Sequence, residues 1–293
     1  MAMDQSSTVR RVAAARTPSV GRAVRPTHVL AVSSGKGGVG KSNFVLNAGI
    51  ALAQMGRKVL VLDADMGLAN IDILVGLTAA HNLSHVLTGE KSIEEVLMEG
   101  PSGIHLLPTS SGVEWMANLT AEQKTDFLGK MDALNGRYDI LLIDTGAGIS
   151  SNVIYFNLAA RTRIVMVTPE PTSLTDAYAL IKVLNRSYRQ KGFEIVVNAV
   201  DTEAEALGVY RNLTSVADRF LDARLGYLGY VRRDGHLGRA VLRQVPVVEL
   251  HPDAPVSQSY REAARRIIGL PSGAAGSDMG LFWRRVFDHD TPA

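Results

Sequence analysis

Cysteine is absent from the 293 residues, which removes disulfides, thiol catalysis, zinc–thiolate sites and iron–sulfur clusters together. A chain that needs no disulfide fits a cytoplasmic home. Long apolar runs are missing too: none approaches the ~18 residues expected of a membrane-spanning helix. Nor does one sign of charge dominate. With 31 lysines and arginines against 29 acids, nothing global argues for direct DNA binding. What remains is a composition 46% hydrophobic, enough to build one large α/β domain or two smaller ones.

Residues 1–26 differ from the rest. Arg10, Arg11, Arg16, Arg22 and Arg25 stand there with Asp4 as the one acid, and the arginines interrupt any secretory hydrophobic region. The composition reads as a disordered basic tail.

From residue 28 onward, short β-rich runs alternate with amphipathic stretches. "HVLAVSS" (28–34), "KVLVLDAD" (58–65), "GIHLLPTS" (103–110), "YDILLIDTG" (138–146), "RIVMVTPE" (163–170), "FEIVVNAV" (193–200) and "LGYLGYV" (225–231) are strands. Most are continuously apolar, as parallel strands covered on both faces should be. Val45, Ala48, Leu52 and Met55 form one helical stripe, Tyr210, Leu213, Ala217 and Phe220 another, and Tyr260, Ala264, Ile267 and Ile268 a third. This alternation predicts a single P-loop-type α/β domain over 27–270, a mostly parallel twisted sheet with helices on both faces. Pro271 and "SGAAGS" then link it to a short tail at 271–293.

The chemistry concentrates in "SSGKGGVGKSN" (33–43), which carries two lysines. Gly35, Gly40, Lys41 and Ser42 satisfy G-x-x-x-x-G-K-[ST] between a strand and a helix, the context that a phosphate loop requires. Gly35, Gly37, Gly38, Val39 and Gly40 bring backbone N–H groups to the phosphates, and the helix N-terminus that follows, through Ser42 and Asn43, adds positive potential. Lys41 suits the β- and γ-phosphates of ATP, and the Ser42 hydroxyl suits Mg2+. Asp144 ends "ILLID" as a Mg2+-directed aspartate, Asp63 at the end of another strand is expected to join it and Ser42 at the metal, and Asp65 ends that same strand. Gly146 and Gly148 offer a loop for sensing the γ-phosphate, and Asp65 is the candidate to orient the attacking water. A solvated carboxylate at a strand end remains the plainer reading for any one of these acids alone.

"GKGGVGKS", "LDADMGLANID" and "LLIDTGAGI" resemble the three signatures of the MinD/ParA ATPases, which carry a deviant Walker A motif. In that family the additional lysine crosses a nucleotide-sandwich dimer. The resemblance therefore makes Lys36 an intermolecular lysine, ATP and Mg2+ the ligands, and a homodimer the ATP-bound state. It also makes Glu170 and Asp176 of "TPEPTSLTDAYALIK" dimer contacts, although both could equally cap the following helix, since Thr175 and Asp176 precede an apolar-periodic run. Asn198 falls where relatives recognise adenine. The loop "VRRDG" (231–235) would close over the base, but lacks the proline usual there.

Within the family, "KSN", "GLANIDILVGL" and "EPTSLTDAYALIK" look most like the flagellar number regulators. A MinD-like division-site ATPase would show a threonine pair after the loop lysine, and a ParA-like partition ATPase would need a basic DNA-binding surface. Metal carriers and nitrogenase-type reductases of this superfamily need cluster cysteines. The flagellar resemblance implies a flagellar transcriptional activator or basal-body component as partner. It also relates Asp4, Gln5, Val9 and Arg10 to an element that stimulates an FlhF-like GTPase, though such a short match arises by chance too. At the other end, Met279, Phe282, Trp283, Val286 and Phe287 share one helical face flanked by Arg284 and Arg285. That pattern suits reversible binding to the inner face of the cell membrane, or docking on the protein itself.

Overall fold

In the computed structural model, which describes residues 26–65, 71–109, 119–271 and 279–288, each apolar run becomes a strand. They are β1 (His28–Ser34), β2 (Val59–Ala64), β3 (Met98–Glu99), β4 (His105–Pro108), β5 (Ile140–Ala147), β6 (Thr162–Val167), β7 (Gly192–Val200) and β8 (Arg224–Arg232). The two-residue β3 is the addition that no apolar run announces. Among the described residues one sheet forms, ordered β3-β4-β2-β5-β1-β6-β7-β8. Every pairing is parallel except β3 with β4. The chain runs outward from β1 in both directions, so the carboxyl ends of β1, β2 and β5 surround a topological switch point, where open α/β sheets bind ligands.

Helices cover both faces. They are α1 (Lys41–Gln54), α2 (Ile71–Leu74), α3 (Leu83–Leu87), α4 (Ile93–Val96), α5 (Ala121–Asp132), α6 (Ser151–Ala159), α7 (Pro171–Arg186), α8 (Glu203–Phe220), α9 (Gly235–Leu242), α10 (Val247–Leu250), α11 (Pro255–Gly269) and α12 (Met279–Asp288). On one face α1 is buried nearly all round beneath α10 and α11, with Phe44 and Tyr260 ring centroids 6.2 Å apart. Gly56, at φ 80°, ends it in the left-handed conformation that a glycine allows. The other face packs against α3, α4, α5, α6, α7 and α8. Of the α8 stripe, Leu213 and Ala217 are buried, whereas Phe220 is 52% exposed.

The C-terminal helix does not stand off from this domain. Met279, Phe282, Trp283, Val286 and Phe287 are all buried, in one cluster with Phe127 and Phe156. Trp283 meets Phe127 edge-on at 5.1 Å, and Phe282 stacks on Phe156 at 6.3 Å. Asn135 Oδ1 accepts from the Met279 N–H at 2.9 Å, and Arg284 reaches Asp132 at 3.7 Å. The apolar face that sequence periodicity offered to a membrane is therefore turned inward here, because α5 and α6 present an aromatic groove of matching period. Among the described residues no helix is long and apolar enough to cross a membrane.

Candidate nucleotide-binding site

The phosphate loop joins β1 to α1, and its conformation follows from its glycines. Gly38 (φ 77°) and Gly40 (φ 92°) take left-handed backbone conformations, and Gly40 caps α1 without any side-chain acceptor. No acid stands in the first turn of α1. The first-turn amides are left for an anion, and the helix dipole adds to their pull. Lys41 is 6% exposed at the start of that helix, next to Ser42. Gly35 is required for a different reason: a Cβ there would run into the backbone of Asp176 and Ala177. Helix α7 thus presses directly on the loop.

Asn198, at the end of β7, holds the loop from the other side. Its Nδ2 donates to the Val39 carbonyl at 2.7 Å, and its Oδ1 accepts from Ala199 N–H at 2.8 Å. A Cβ on Gly40 would strike the same amide group. In this arrangement the adenine-recognition residue suggested by resemblance is a brace for the phosphate loop.

The carboxylates gather at the ends of β2 and β5, where Asp63 and Asp144 are register partners. Asp63 accepts from the Asp65 N–H at 3.3 Å and from the Ile71 N–H at 3.1 Å, which folds the chain over the strand end. Asp144 is 1% exposed, and among the described residues its carboxylate oxygens make no well-formed hydrogen bond, with the Ser42 hydroxyl the donor closest at hand. Burial pushes its carboxyl up to about 7; the nearby Ser42 hydroxyl and Lys41 draw it down, while Asp63 and Asp65 push it further up. A buried carboxylate with both oxygens orphaned, beside the Ser42 hydroxyl and a loop ready for phosphates, fits a hydrated Mg2+. Of the two strand-end acids expected to face Mg2+, Asp63 accepts backbone N–H groups from the chain that follows β2, and Asp144 lies beside the Ser42 hydroxyl. Asp65 is half-buried, and a Cβ on Gly146 would lie 3.5 Å from its Oδ1. The remainder of "LDADMGLANID", Met66 to Asn70, lies outside the described residues.

Lys36 takes no part in this cradle. Its ammonium bonds Glu170 Oε2 at 2.5 Å and the Thr172 hydroxyl at 3.2 Å, and its side chain is 39% exposed. Glu170 is the N-cap residue of α7, yet its side chain caps no amide and turns to Lys36 instead. Asp176, like Thr175, falls inside α7, which begins at Pro171, so Asp176 as a helix cap is corrected, while Glu170 does hold the N-cap position. Asp176 meets the loop through its backbone.

Ser33, Thr145 and Asn157 escaped the sequence reading. Their hydroxyls and amide form a buried network under the phosphate loop, with Asn157 Nδ2 2.7 Å and Thr145 Oγ1 2.9 Å from Ser33 Oγ. The available signal was an asparagine inside the otherwise apolar "VIYFNLA". The N-terminal residues Asp4, Gln5, Val9 and Arg10 lie outside the described residues.

Residues 27–196 match a family model described as an AAA domain. The chain is 38% identical over 268 residues to the antiactivator FleN of Pseudomonas aeruginosa, covering 91% of this chain and 95% of that protein. It is 34% identical over 250 residues to the flagellum site-determining protein YlxH of Helicobacter pylori, covering 85% and 84%. Among solved structures, MinD in the MinC:MinD complex of Aquifex aeolicus superposes with a TM-score of 0.67 at 28% identity, covering 85% of this chain and 100% of that one. The Pyrococcus horikoshii MinD structure with Mg-ADP, at 24% identity and a TM-score of 0.64, covers 82% and 96% and shares the fold.

Proposed function

This chain belongs to the MinD/ParA family of P-loop ATPases with a deviant Walker A motif, and we propose that it is an ATP-dependent dimerising switch regulating flagellar number and placement. The observation that carries this reading is the division of labour between the two lysines. Lys41 is buried at the mouth of its own helix, whereas Lys36 turns outward to Glu170. A cation facing away from its own cradle is free to complete a neighbour's.

Each protomer binds ATP through the loop amides and Lys41. Ser42 and Asp144 would hold Mg2+, which would supply charge neutralisation to the phosphates. Two protomers close face to face, and Lys36 of each moves from Glu170 to the phosphates across the interface, while Glu170 and Asp176 stay as contacts beside it. Asp65 orients a water in line with the γ-phosphorus. The water oxygen forms the new bond, the bond to the β–γ bridging oxygen breaks, and ADP leaves with that electron pair. A trans-acting lysine makes turnover depend on dimerisation, as an arginine finger does. Hydrolysis then releases the dimer.

The docked α12 is the output. Among the described residues its buried Trp283 Nε1 meets no acceptor, which costs the docked state about 1–3 kcal/mol. That deficit favours exchange of the protein groove for a membrane surface, where indole N–H groups find acceptors. One short amphipathic helix binds weakly; two in a dimer bind together, giving cytoplasmic protein with reversible attachment to the inner membrane face. The names of the two flagellar relatives, an antiactivator and a site-determining protein, support a flagellar activator or basal-body component as the partner. By the family resemblance alone, the N-terminal tail would act on an FlhF-like GTPase.

Light scattering after size exclusion, with ATP and then ADP, tests this function alongside turnover per protomer against protein concentration. A dimer with ATP, a monomer with ADP and a rate that climbs with concentration are expected. A concentration-independent rate from an ATP-bound monomer would overturn the switch.

A further inference from the structure

A buried polar chain lies between the nucleotide site and the C-terminal helix. It starts at a register slip: Val32 pairs with Asp144, but Ser34 pairs with Ala147. Thr145 and Gly146 therefore sit opposite Ser33 in a bulge, directly after the cation-facing aspartate. The slip is on the β1 side alone, since Thr145 stays paired with Ala64 of β2, and a bulge of this kind re-aims the side chains that it carries. The Thr145 hydroxyl has one proton and three acceptors in reach: Ser33 Oγ at 2.9 Å, the Val32 carbonyl at 3.1 Å and the Gly146 carbonyl at 3.0 Å.

Asn157 of α6 closes the chain. Its Nδ2 donates to Ser33 Oγ and to the Val153 carbonyl, each at 2.7 Å. The residue is fully buried, and its Oδ1 has no donor. A buried amide oxygen left empty is costly, and here a donor hydroxyl stands one partner away, on the same Ser33. The next residue toward the N-terminus, Phe156, is the platform of α12: it stacks on Phe282 at 6.3 Å and meets Trp283 edge-on at 6.4 Å. Helix α6 also follows directly on the loop that begins at Gly146.

We propose that Asn157 is a positioning residue coupling the loop after Asp144 to the seat of α12. When that loop closes on the γ-phosphate, the Thr145 hydroxyl transfers its hydrogen bond from the β1 side to Asn157 Oδ1. Helix α6 follows, and the Phe156 platform shifts under Phe282 and Trp283. The bulge supplies the two discrete arrangements that coupling between sites needs. This inference rests on the reading that ATP releases α12.

Trp283 reports the step directly. The chain has two tryptophans, so Trp115→Phe leaves Trp283 as the sole indole. Its emission would be followed in the full chain during titration with ATP and Mg2+, beside the affinity for a fluorescent ATP analogue and the melting temperature. In the Trp115→Phe parent, ATP should shift the emission to the red. Adding Asn157→Leu, which keeps the branched shape and leaves Ser33 bonded to Thr145, should preserve affinity and melting but cut the size of the ATP-driven shift about fivefold or more. Should that variant fail to fold, Asn157→Ser in the same assay decides. An unchanged shift at equal affinity overturns the relay and leaves helix release standing. No shift in the parent overturns both.

Discussion

Lys36 and Glu170 form an ion pair at 2.5 Å within one protomer, at the N-terminus of the same helix whose backbone presses on Gly35. The pair is exposed, 39% and 61% at its two side chains, and pairs of that kind contribute about 0–1 kcal/mol. So shallow a contact is easily exchanged for the phosphates of a second nucleotide. In the proposed switch it would store the lysine at the rim of the dimer interface without fixing it there.

The two loop lysines should separate cleanly. Lys41→Ala removes the buried ammonium from the phosphate cradle and should abolish binding of a fluorescent ATP analogue. Lys36→Ala should bind the analogue within about threefold of wild type, because the ammonium lost lies outside the cradle. Equal loss of binding in both variants would place Lys36 in its own site.

Gly35 and Gly37 should differ although they stand two residues apart. A methyl at Gly35 meets α7 backbone, which cannot yield as a side chain does, whereas at Gly37 it meets nothing within 4 Å. In nucleotide-free thermal melts Gly35→Ala should lose about 1–3 kcal/mol or more and Gly37→Ala almost none. Matching melts would mean that α7 is not seated on the loop.

The Asp144 carboxyl, raised to about 7 from 3.8, ties pH to both stability and cation binding. Its contribution to the nucleotide-free fold is complete below about pH 4 and is lost as pH rises through about 7. Cation binding needs the charged form, so Mg2+–nucleotide binding should release up to about one proton near pH 6 and weaken as pH falls below about 7. Calorimetry in buffers of different ionisation enthalpy reads that proton, and Asp144→Asn should remove it. Proton release undiminished in the variant would assign the linkage to another group.

Much of this was legible in the sequence, and the limits have physical causes. Continuous apolar runs such as "HVLAVSS" and "ILLID" announce central parallel strands, because only a doubly covered strand needs no polar face. Lys41, Ser42 and Asp144 were marked by spacing, since cradling phosphate fixes the order of residue types, whereas Lys36 was marked only by the resemblance of "GKGGVGKS" to the family's deviant motif. The two-residue β3 carries no period at all. For α12, a stripe of Phe282, Trp283 and Phe287 has the same period whether its partner is lipid or Phe127, so the destination was not written in it. Asn198 and Asn157 were missed as braces because amide hydrogen bonds across 159 and 124 residues leave no local trace.

The docked helix makes a further demand on any variant of its apolar face. Trp283→Ala should cost about 3–5 kcal/mol in urea unfolding, the range for a large buried aromatic. The same change should reduce co-sedimentation with anionic liposomes in ATP. A stability cost without any change in sedimentation would leave α12 as a packing element alone.

The claim that Lys36 acts across the dimer is tested most directly by mixing two inactive proteins. Lys36→Ala keeps its own Asp65 but cannot supply a lysine to its neighbour. Asp65→Ala binds ATP and supplies Lys36, yet cannot orient its own water. In a mixed dimer the nucleotide held by the Lys36→Ala protomer receives a lysine from the partner and uses its own Asp65. Steady-state phosphate release from the equimolar mixture should therefore recover to as much as about a quarter of wild-type turnover under random pairing, far above either protein alone. A mixture that gives only the sum of its two residual rates would contradict a lysine working in trans.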